Sequence, residues 1–103
     1  FLRNLHLDIA FLSASSWDGQ GISTPSEQKV PVKRAVVESA ASRILICDSS
    51  KYGKVGTFNV VGWDAIDQVI TDEQLPQSAR DVLAQHGVRV TMAPLASLAS
   101  GVE

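Results

Sequence analysis

The sequence contains few residues of the kinds that build metal centres and disulfide bridges. It has one cysteine, Cys47, and two histidines, His6 and His86, which lie far apart in the chain. One cysteine cannot form an internal disulfide, and this set of side chains cannot complete a zinc site. Neither a Gly-x-Gly-x-x-Gly motif nor a Walker loop is present. We therefore expect no metal and no cofactor, and the lone cysteine favours a reducing compartment, the cytoplasm.

Long apolar runs and an excess of positive charge are also absent. No stretch approaches the roughly 20 apolar residues that cross a bilayer, so we expect no membrane partner. The net charge is −2, whereas a segment that grips DNA needs clustered Lys and Arg. With 103 residues, 45% of them hydrophobic, the chain is expected to form one globular domain at most. It begins with Phe1 rather than methionine, and we expect it to be a piece of a longer protein.

Short apolar stretches alternate with segments of helical periodicity along the chain. Apolar stretches of roughly four to eight residues, bounded by Gly, Pro or polar residues, predict strands. The expected strands cover 7–14, 43–48, 57–61, 68–71 and 88–92. Between the first strand and the first helix, Gly19, Gly21, Thr24 and Pro25 predict a loop.

Two segments show the period of an amphipathic helix. The first is expected to begin at Pro31, at the helical position that proline favours, or earlier at a cap formed by Ser26 and Glu27. Its inner face is predicted to comprise Val32, Ala35, Val36, Ser39 and Ala40. The second helix is expected to open at Pro76 and to stop at Gly87. Its inner face is predicted to comprise Leu75, Ala79, Val82 and Leu83.

This order of elements predicts an α/β fold, with a mostly parallel sheet flanked by helices and right-handed crossovers. The domain is expected to span 1–93. Residues 94–103 are expected to form a C-terminal tail, as a short helix or a frayed end.

The stretch 44–51, Ile-Leu-Ile-Cys-Asp-Ser-Ser-Lys, ends an apolar strand with polar side chains. Small anionic ligands bind outside the carboxyl ends of strands in open α/β sheets, so Asp48 and Lys51 are the first candidates for ligand binding. Lys51 either offers a compact ammonium to a phosphate or lies in solvent, and its place after a buried strand favours binding. Asp48 either orients Lys51 and accepts ligand hydroxyls, or caps the turn that follows it.

Polar residues after the first strand and in the first helix extend this candidate site. Ser13, Ser15 and Ser16 are candidates to donate to ligand oxygens, although loop serines mostly bond to local backbone. Lys33 points either into a crevice at the helix start or into solvent, and the strand-to-helix position favours the crevice. A nucleophilic Cys47 is disfavoured, because a free cysteine in an apolar strand usually acts as a small hydrophobe.

Five segments, taken in order, carry a resemblance to a known family. They are Asp-Ile-Ala-Phe-Leu-Ser-Ala at 8–14, Gly-Ile-Ser-Thr at 21–24, Val-Lys-Arg-Ala at 32–35, Asp-Ser-Ser-Lys-Tyr-Gly at 48–53 and Ile-Asp-Gln-Val-Ile-Thr-Asp at 66–72. Together they resemble the C-terminal half of the effector-sensing domain of DeoR-type bacterial transcription repressors. The resemblance covers about 7–92, and the segment at 48–53 is its most specific part.

The resemblance implies a function and a fold. Members of that family join an N-terminal winged helix-turn-helix to a domain that binds phosphorylated sugars or related metabolites, and they assemble into oligomers. That domain is similar in fold to ribose-5-phosphate isomerase, glucosamine-6-phosphate deaminase and coenzyme A transferases, a three-layer architecture. The resemblance therefore implies a homo-oligomeric regulator that reaches DNA only through a helix-turn-helix absent from this chain.

The comparison with the isomerases implies that this chain is a sensor rather than an enzyme. Those enzymes carry a carboxylate pair after the strand that matches 7–13, and a glutamate base in the helix that matches 32–33. Here Ser15 and Ser16 stand at the acidic positions and Val32 stands where the base would be, although isomerisation needs such a base. Lys33, Asp18 and the segment 48–51 remain, which are groups able to hold a polyol phosphate.

Two alternatives stay open beside the sensor. The first is an isomerase or deaminase of the same fold, against which the missing base counts. The second is a phosphoacceptor receiver domain, against which the absence of an acidic pair at the first strand counts. The resemblance also implies that the other wall of the pocket lies in a segment that this chain lacks. We therefore expect the isolated chain to expose apolar surface and a strand edge, to associate with itself, and to bind sugar phosphates feebly or not at all.

Overall fold

The computed structural model describes residues 7–94, except for the side chain of Leu7. The predicted tail therefore lies, apart from Pro94, outside the described residues. In chain order the elements are β1 (Leu7–Leu12), β2 (Ser16–Asp18), β3 (Gly21–Thr24), α1 (Lys29–Ser39), β4 (Ala40–Ile46), β5 (Phe58–Val61), β6 (Gln68–Asp72), α2 (Gln77–Gln85) and β7 (Arg89–Ala93). Short 3₁₀ turns lie at Ser49–Lys51 and Trp63–Ala65.

A parallel sheet with the order β1-β4-β6-β7 forms the centre of the fold. Leu45 in β4 stands beside Leu12 of β1 and Val69 of β6, and all three side chains are buried. Because the four strands run in the same direction, their carboxyl ends lie along one edge, which we call the carboxyl edge. The predicted α/β class with a mostly parallel sheet is confirmed.

The stretch 16–24, predicted as a loop, is a β-hairpin. β2 and β3 pair antiparallel and β3 pairs with β5, which gives a second sheet of three strands. Gly21 permits this arrangement because its φ is +146° and a Cβ there would lie 2.3 Å from the Val61 carbonyl oxygen. The prediction was wrong because strands of three and four residues are too short to show a periodic pattern.

Helix α1 faces the core with only part of the predicted set: Val36 packs against the core as predicted, but Val32 does not. Val37 is buried and Val30 and Val36 pack against the core, whereas Val32 is 59% exposed. The sequence 30–37 carries valines on two overlapping stripes, so periodicity alone could not select the correct one. Pro31 lies in the first turn, where its missing N–H costs no helical hydrogen bond.

Helix α2 follows the prediction more closely. Leu75, Ala79 and Leu83 are buried, and Gly87 ends the helical segment with a φ of +76°. Pro76 is the N-cap, so the helix begins one residue later than expected.

One face of the parallel sheet carries apolar side chains outside the core. In β1, exposed Ile9 and Phe11 alternate with buried Ala10 and Leu12, and the exposed fractions of the first two are 51% and 62%. By register, Phe11 stands beside Ile44, and Ile46 stands beside Ile70. We call this surface the open face; it comprises Ile9, Phe11, Ile44, Ile46 and Ile70. The expected exposure of apolar surface is confirmed for Ile9 and Phe11.

Candidate functional site

The polar residues predicted to bind a ligand follow the carboxyl ends of two neighbouring strands. Ser13 and Ser15 come after β1, and Asp48 and Lys51 come after β4. The Cys47 N–H donates to the Ile70 carbonyl oxygen at 3.1 Å, so the pairing of β4 with β6 continues to the residue before Asp48. The sheet therefore delivers the polar groups directly to its carboxyl edge, as open α/β sheets do for small ligands.

The segment 48–53, which we call the Asp48 loop, is held in a compact turn. The Lys51 and Tyr52 N–H groups donate to the Asp48 and Ser49 carbonyl oxygens at 3.3 and 3.0 Å. The Ser50 hydroxyl donates to Asp48 Oδ1 at 2.7 Å, but the Asp48 carboxylate makes no capping hydrogen bond to the backbone of the turn that it precedes. Within residues 7–94 no hydrogen bond reaches the second oxygen, Oδ2, so the carboxylate retains an acceptor for a ligand hydroxyl.

Asp72, at the end of β6, fastens the Asp48 loop from the side of the sheet. Its Oδ2 accepts from the Ser49 N–H at 2.8 Å, and its Oδ1 accepts from the Ser49 hydroxyl at 2.7 Å. The Gln74 N–H also donates to Oδ1 at 2.9 Å. Burial acts to raise the pKa of Asp72, but these hydrogen bonds outweigh it, and the pKa lies below its usual value. The carboxylate is therefore ionised, and both of its oxygens accept hydrogen bonds from the Asp48 loop or the next turn.

Trp17 fastens the Asp48 loop from the side of the small sheet. Its indole N–H donates to the Asp48 carbonyl oxygen at 3.3 Å, and its own carbonyl oxygen accepts from the Gly53 N–H at 2.7 Å. The Trp17 ring meets the rings of Tyr52 and Trp63 edge to face, at centroid distances of 5.1 and 5.9 Å. Both ends of the loop are thus bonded to one fully buried residue, one end by its side chain and the other by its backbone.

Lys33 reaches the end of β1 with its side chain, and its place in a ligand crevice stays a prediction. Its half-buried ammonium donates to the Ser13 carbonyl oxygen. Burial, followed by the charge of Lys29, lowers the pKa of Lys33 below its usual value. Ser13 and Ser15, which follow β1 in the chain, have exposed hydroxyl side chains.

Cys47 belongs to the buried core. Its thiol donates to the Ala14 carbonyl oxygen at 3.3 Å, and the charges of Asp48 and Lys51 act on it in opposite directions. Burial is the strongest influence and raises the pKa of Cys47 to about 11, against the opposing effect of Lys51. A neutral buried thiol is a poor nucleophile, in agreement with the prediction that Cys47 is a small hydrophobe.

Lys51 is half-buried in the 3₁₀ turn of the Asp48 loop. Within residues 7–94 its ammonium makes neither an ion pair nor a hydrogen bond. Lys51 therefore differs from Lys33, whose ammonium already has a backbone partner.

Asp18 has a local structural role in the β2–β3 hairpin. Its Oδ1 accepts from the N–H groups of Gln20 and Gly21 at 3.0 and 3.3 Å, which closes the turn. It also lines a cavity of about 160 Å³ beside the small sheet, with Ser23 and Asn59 among the other lining residues. A ligand role for Asp18 stays a prediction.

Sequence reasoning missed Asp72, Trp17 and Trp63 as residues that shape the site. The Trp63 indole N–H donates to the Asp18 carbonyl oxygen at 2.8 Å, so it also fixes the hairpin. A tryptophan between Ser16 and Asp18, in an otherwise polar segment, was the available signal for Trp17. Asp72 gave a weaker signal, a carboxylate directly after an apolar strand.

Two ammonium groups, two loop hydroxyls and the Asp48 carboxylate lie near the ends of β1 and β4, and groups of these kinds suit an anion that carries hydroxyl groups. In the part of the chain that the structure describes, no three His, Cys, Asp or Glu side chains are grouped to hold a metal. Neither helix between residues 7 and 94 has the length and hydropathy to span a membrane.

Comparison with known proteins identifies a family and several relatives that this chain matches. Residues 1–73 match the family model described as the DeoR C-terminal sensor domain. The chain is 47% identical over 92 residues to the uncharacterized HTH-type transcriptional regulator YgbI of Escherichia coli K12, covering 89% of the chain and 36% of that protein. It is 44% identical over 90 residues to an uncharacterized HTH-type transcriptional regulator of Haemophilus influenzae, covering 87% and 35%.

A third relative, the glycerol-3-phosphate regulon repressor of Escherichia coli K12, is 29% identical over 93 residues, covering 89% of the chain and 37% of the repressor. The chain thus spans little more than a third of the length of these regulators. The matched family model covers most of the chain, and the parallel sheet with its Asp48 loop is consistent with the resemblance read from the sequence. The chain belongs to the DeoR C-terminal sensor domain family.

Proposed function

We propose that this chain is the effector-sensing part of a bacterial sugar-operon regulator, a repressor that a phosphorylated sugar releases from DNA. The regulator works in the cytoplasm as a homo-oligomer and contacts DNA through an N-terminal helix-turn-helix outside this chain. Membership of the sensor-domain family and relatives that are transcriptional regulators support this role. A net charge of −2 agrees with DNA contact by another segment.

The observation that carries the proposal is the ammonium of Lys51. It sits half-buried at the carboxyl edge of a parallel sheet, and no anion among residues 7–94 neutralises it. An ammonium that no described anion neutralises, at this place, is a natural partner for a ligand phosphate. The relative named for the glycerol-3-phosphate regulon supports a small phosphorylated polyol as the class of effector.

The other predicted residues take supporting roles in this proposal. Asp48 accepts a ligand hydroxyl through Oδ2, while Oδ1 stays bonded to Ser50. Lys33 holds the end of β1 through the Ser13 carbonyl oxygen and adds a second positive charge beside the phosphate. The hydroxyls of Ser13 and Ser15, both exposed, donate to ligand oxygens. Asp18 contributes at the margin of the site.

The proposal treats the protein as a sensor without enzymatic activity. An isomerase or deaminase needs a base beside the carbon acid, and the position that matches this base holds Val32, whose side chain is exposed. The relatives named as transcriptional regulators support the same conclusion.

The substitution Lys51→Ala in the full-length regulator tests the proposal. We expect DNA binding to persist and the concentration of sugar phosphate that releases the DNA to rise about tenfold to hundredfold, because a charge-assisted hydrogen bond of about 1.5–3 kcal/mol is lost. Lys51→Arg should also weaken the response, since a planar fork does not replace a compact ammonium. The measurement is DNA release titrated with ribose 5-phosphate, fructose 6-phosphate and glycerol 3-phosphate, preceded by a thermal-shift screen.

Lys54→Ala provides the matched control, because Lys54 is an exposed lysine in the same stretch of chain and its loss changes the net charge equally. The control should respond as the unaltered regulator does. Equal curves for Lys51→Ala and Lys54→Ala would remove Lys51 from the site. Protein-dependent conversion of ribose 5-phosphate to ribulose 5-phosphate that Lys51→Ala abolishes would replace the sensor with the enzyme.

A further inference from the structure

Asp72 is an ionised carboxylate with no exposed surface, at the carboxyl end of β6. A buried charge is costly unless hydrogen bonds compensate for the lost water. Asp72 has three such bonds, two from Ser49 and one from Gln74, all between 2.7 and 2.9 Å. These three hydrogen bonds therefore compensate for the cost of burying the Asp72 charge.

Most of these contacts are not local. A residue that only capped the turn after β6 would need the bond from the Gln74 N–H alone. Instead, both carboxylate oxygens reach Ser49, which lies 23 residues earlier in the chain and in a different strand-end loop. The backbone N–H and the hydroxyl of one serine are bound together, which fixes both the position and the orientation of that residue.

Ser49 is the first residue of the 3₁₀ turn that ends at Lys51. It stands between the two residues that the proposed function assigns to the ligand, Asp48 and Lys51. The Trp17 indole holds the Asp48 carbonyl oxygen from the opposite side at 3.3 Å. The chain at Asp48 and Ser49, from which the turn to Lys51 starts, is thus held by two anchors, of which Asp72 is the charged one.

We propose that Asp72 is a positioning residue for effector binding, which holds Ser49 so that Asp48 and Lys51 meet the phosphorylated ligand in a fixed geometry. This inference rests on the proposed function of the Asp48 loop. Asp72 touches no ligand and acts through Ser49. Its removal should therefore lower affinity for the ligand beyond any effect that it has on the stability of the fold.

The test compares variants of the full-length regulator by calorimetric titration with ribose 5-phosphate, fructose 6-phosphate and glycerol 3-phosphate. Asp72→Asn keeps the size of the side chain but replaces one acceptor oxygen with a donor, so it cannot accept all three bonds. Ser49→Ala removes only the hydroxyl bond and guards against a variant of Asp72 that does not fold. Ser49→Thr keeps a hydroxyl donor. Val88→Ala is the control for lost stability, because Val88 is buried at the opposite, amino end of β7.

We expect affinity to fall about tenfold in Asp72→Asn and less in Ser49→Ala, with recovery in Ser49→Thr. The double variant Asp72→Asn/Ser49→Ala should lose less affinity than the sum of the single variants, since the two residues act through one contact. Val88→Ala, compared at the same interval below its own melting temperature, should bind as the unaltered protein does.

The outcomes separate the two proposals. If the unaltered regulator binds one of the probes and Asp72→Asn and Ser49→Ala bind it equally well, the positioning role is wrong while the proposed function stands. If Val88→Ala loses as much affinity as Asp72→Asn, the effect reports stability alone and the positioning role is again wrong. If the unaltered regulator binds none of the three probes, the proposed function fails and the positioning role fails with it.

Discussion

At the scale of a single residue, burial dominates the titration of Cys47. Desolvation by the core raises its pKa to about 11 from an ordinary value of 9.0; the hydrogen bond to the Ala14 carbonyl oxygen and the charge of Lys51 act to lower the pKa, whereas the charge of Asp48 acts to raise it. The thiol is therefore neutral in the folded protein at pH values where an exposed cysteine ionises. Its hydrogen bond to the Ala14 carbonyl oxygen also joins the end of β4 to the segment after β1.

This shift predicts a pH-dependent contribution to stability. The folded-state pKa lies above the unfolded value, so the stability that the neutral thiol provides is complete below about pH 9 and is lost as the pH rises towards 11. The loss should total about 2 kcal/mol. We expect the difference in free energy of unfolding between the unaltered chain and Cys47→Ala, measured with urea, to be constant below pH 9 and to shrink above it. A difference that does not vary with pH would contradict the assignment.

The sequence predicts which residues lie at the site better than it predicts their hydrogen-bond partners. Asp48 and Lys51 were identifiable because an apolar strand ends directly before them, which is a local pattern. The roles of Asp72 and Trp17 depend on partners 23 and 31 residues away in the chain. Such contacts are set by strand order and register, which a single sequence does not contain.

At the scale of elements, the β2–β3 hairpin depends on the backbone of one turn. Gly21 has a φ of +146°, and its Cα faces the Val61 carbonyl oxygen of β5 so closely that a Cβ would lie 2.3 Å away. Gly19, two residues earlier, carries no such constraint, since a Cβ there would meet Val82 Cγ1 at an ordinary 3.6 Å.

The pair Gly21→Ala and Gly19→Ala therefore tests the hairpin directly. We expect Gly21→Ala to lower the free energy of unfolding by at least about 2 kcal/mol, because a strained φ costs about 1–3 kcal/mol before the clash is added. Gly19→Ala should change it by no more than about 0.5 kcal/mol. Denaturant unfolding of both variants measures the difference. Equal stabilities would mean that 16–24 is the loop that the sequence had suggested.

The longer elements were easier to predict than the short ones, because the signal for them lies in their own sequence. The core of the parallel sheet comes from short apolar runs, such as those around Leu45 in β4 and Val69 in β6, and α2 has a clear stripe with a glycine stop, so both give strong local signals. The hairpin and the inner face of α1 depend instead on contacts across the fold. Arg34, for example, lies on α1 and donates to the carbonyl oxygens of Val60 and Asn59 in β5 at 2.7 and 2.9 Å. These bonds orient the helix in a way that its own valines do not specify.

At the scale of the whole molecule, the open face is the largest departure from a self-sufficient domain. Parallel sheets are almost always covered on both faces, because their strands are apolar on both sides. Here Ile9 and Phe11 are more than half exposed on β1, which is an edge strand of the sheet as described. An apolar surface next to a strand edge favours association with other protein surfaces.

We therefore expect the isolated 103-residue chain to associate with itself through the open face. Phe11→Glu should shift the chain towards monomer, because a charge in the middle of this surface opposes its burial. Val55→Glu is the matched control, since Val55 is a 69% exposed apolar residue outside the open face. Sedimentation velocity over a range of concentrations measures both variants against the unaltered chain. A stable interface of the usual kind buries about 800 Å² per partner, so a strictly monomeric chain at every concentration would show that the open face is too small to drive association. Equal dissociation by Val55→Glu would place the contact elsewhere on the surface.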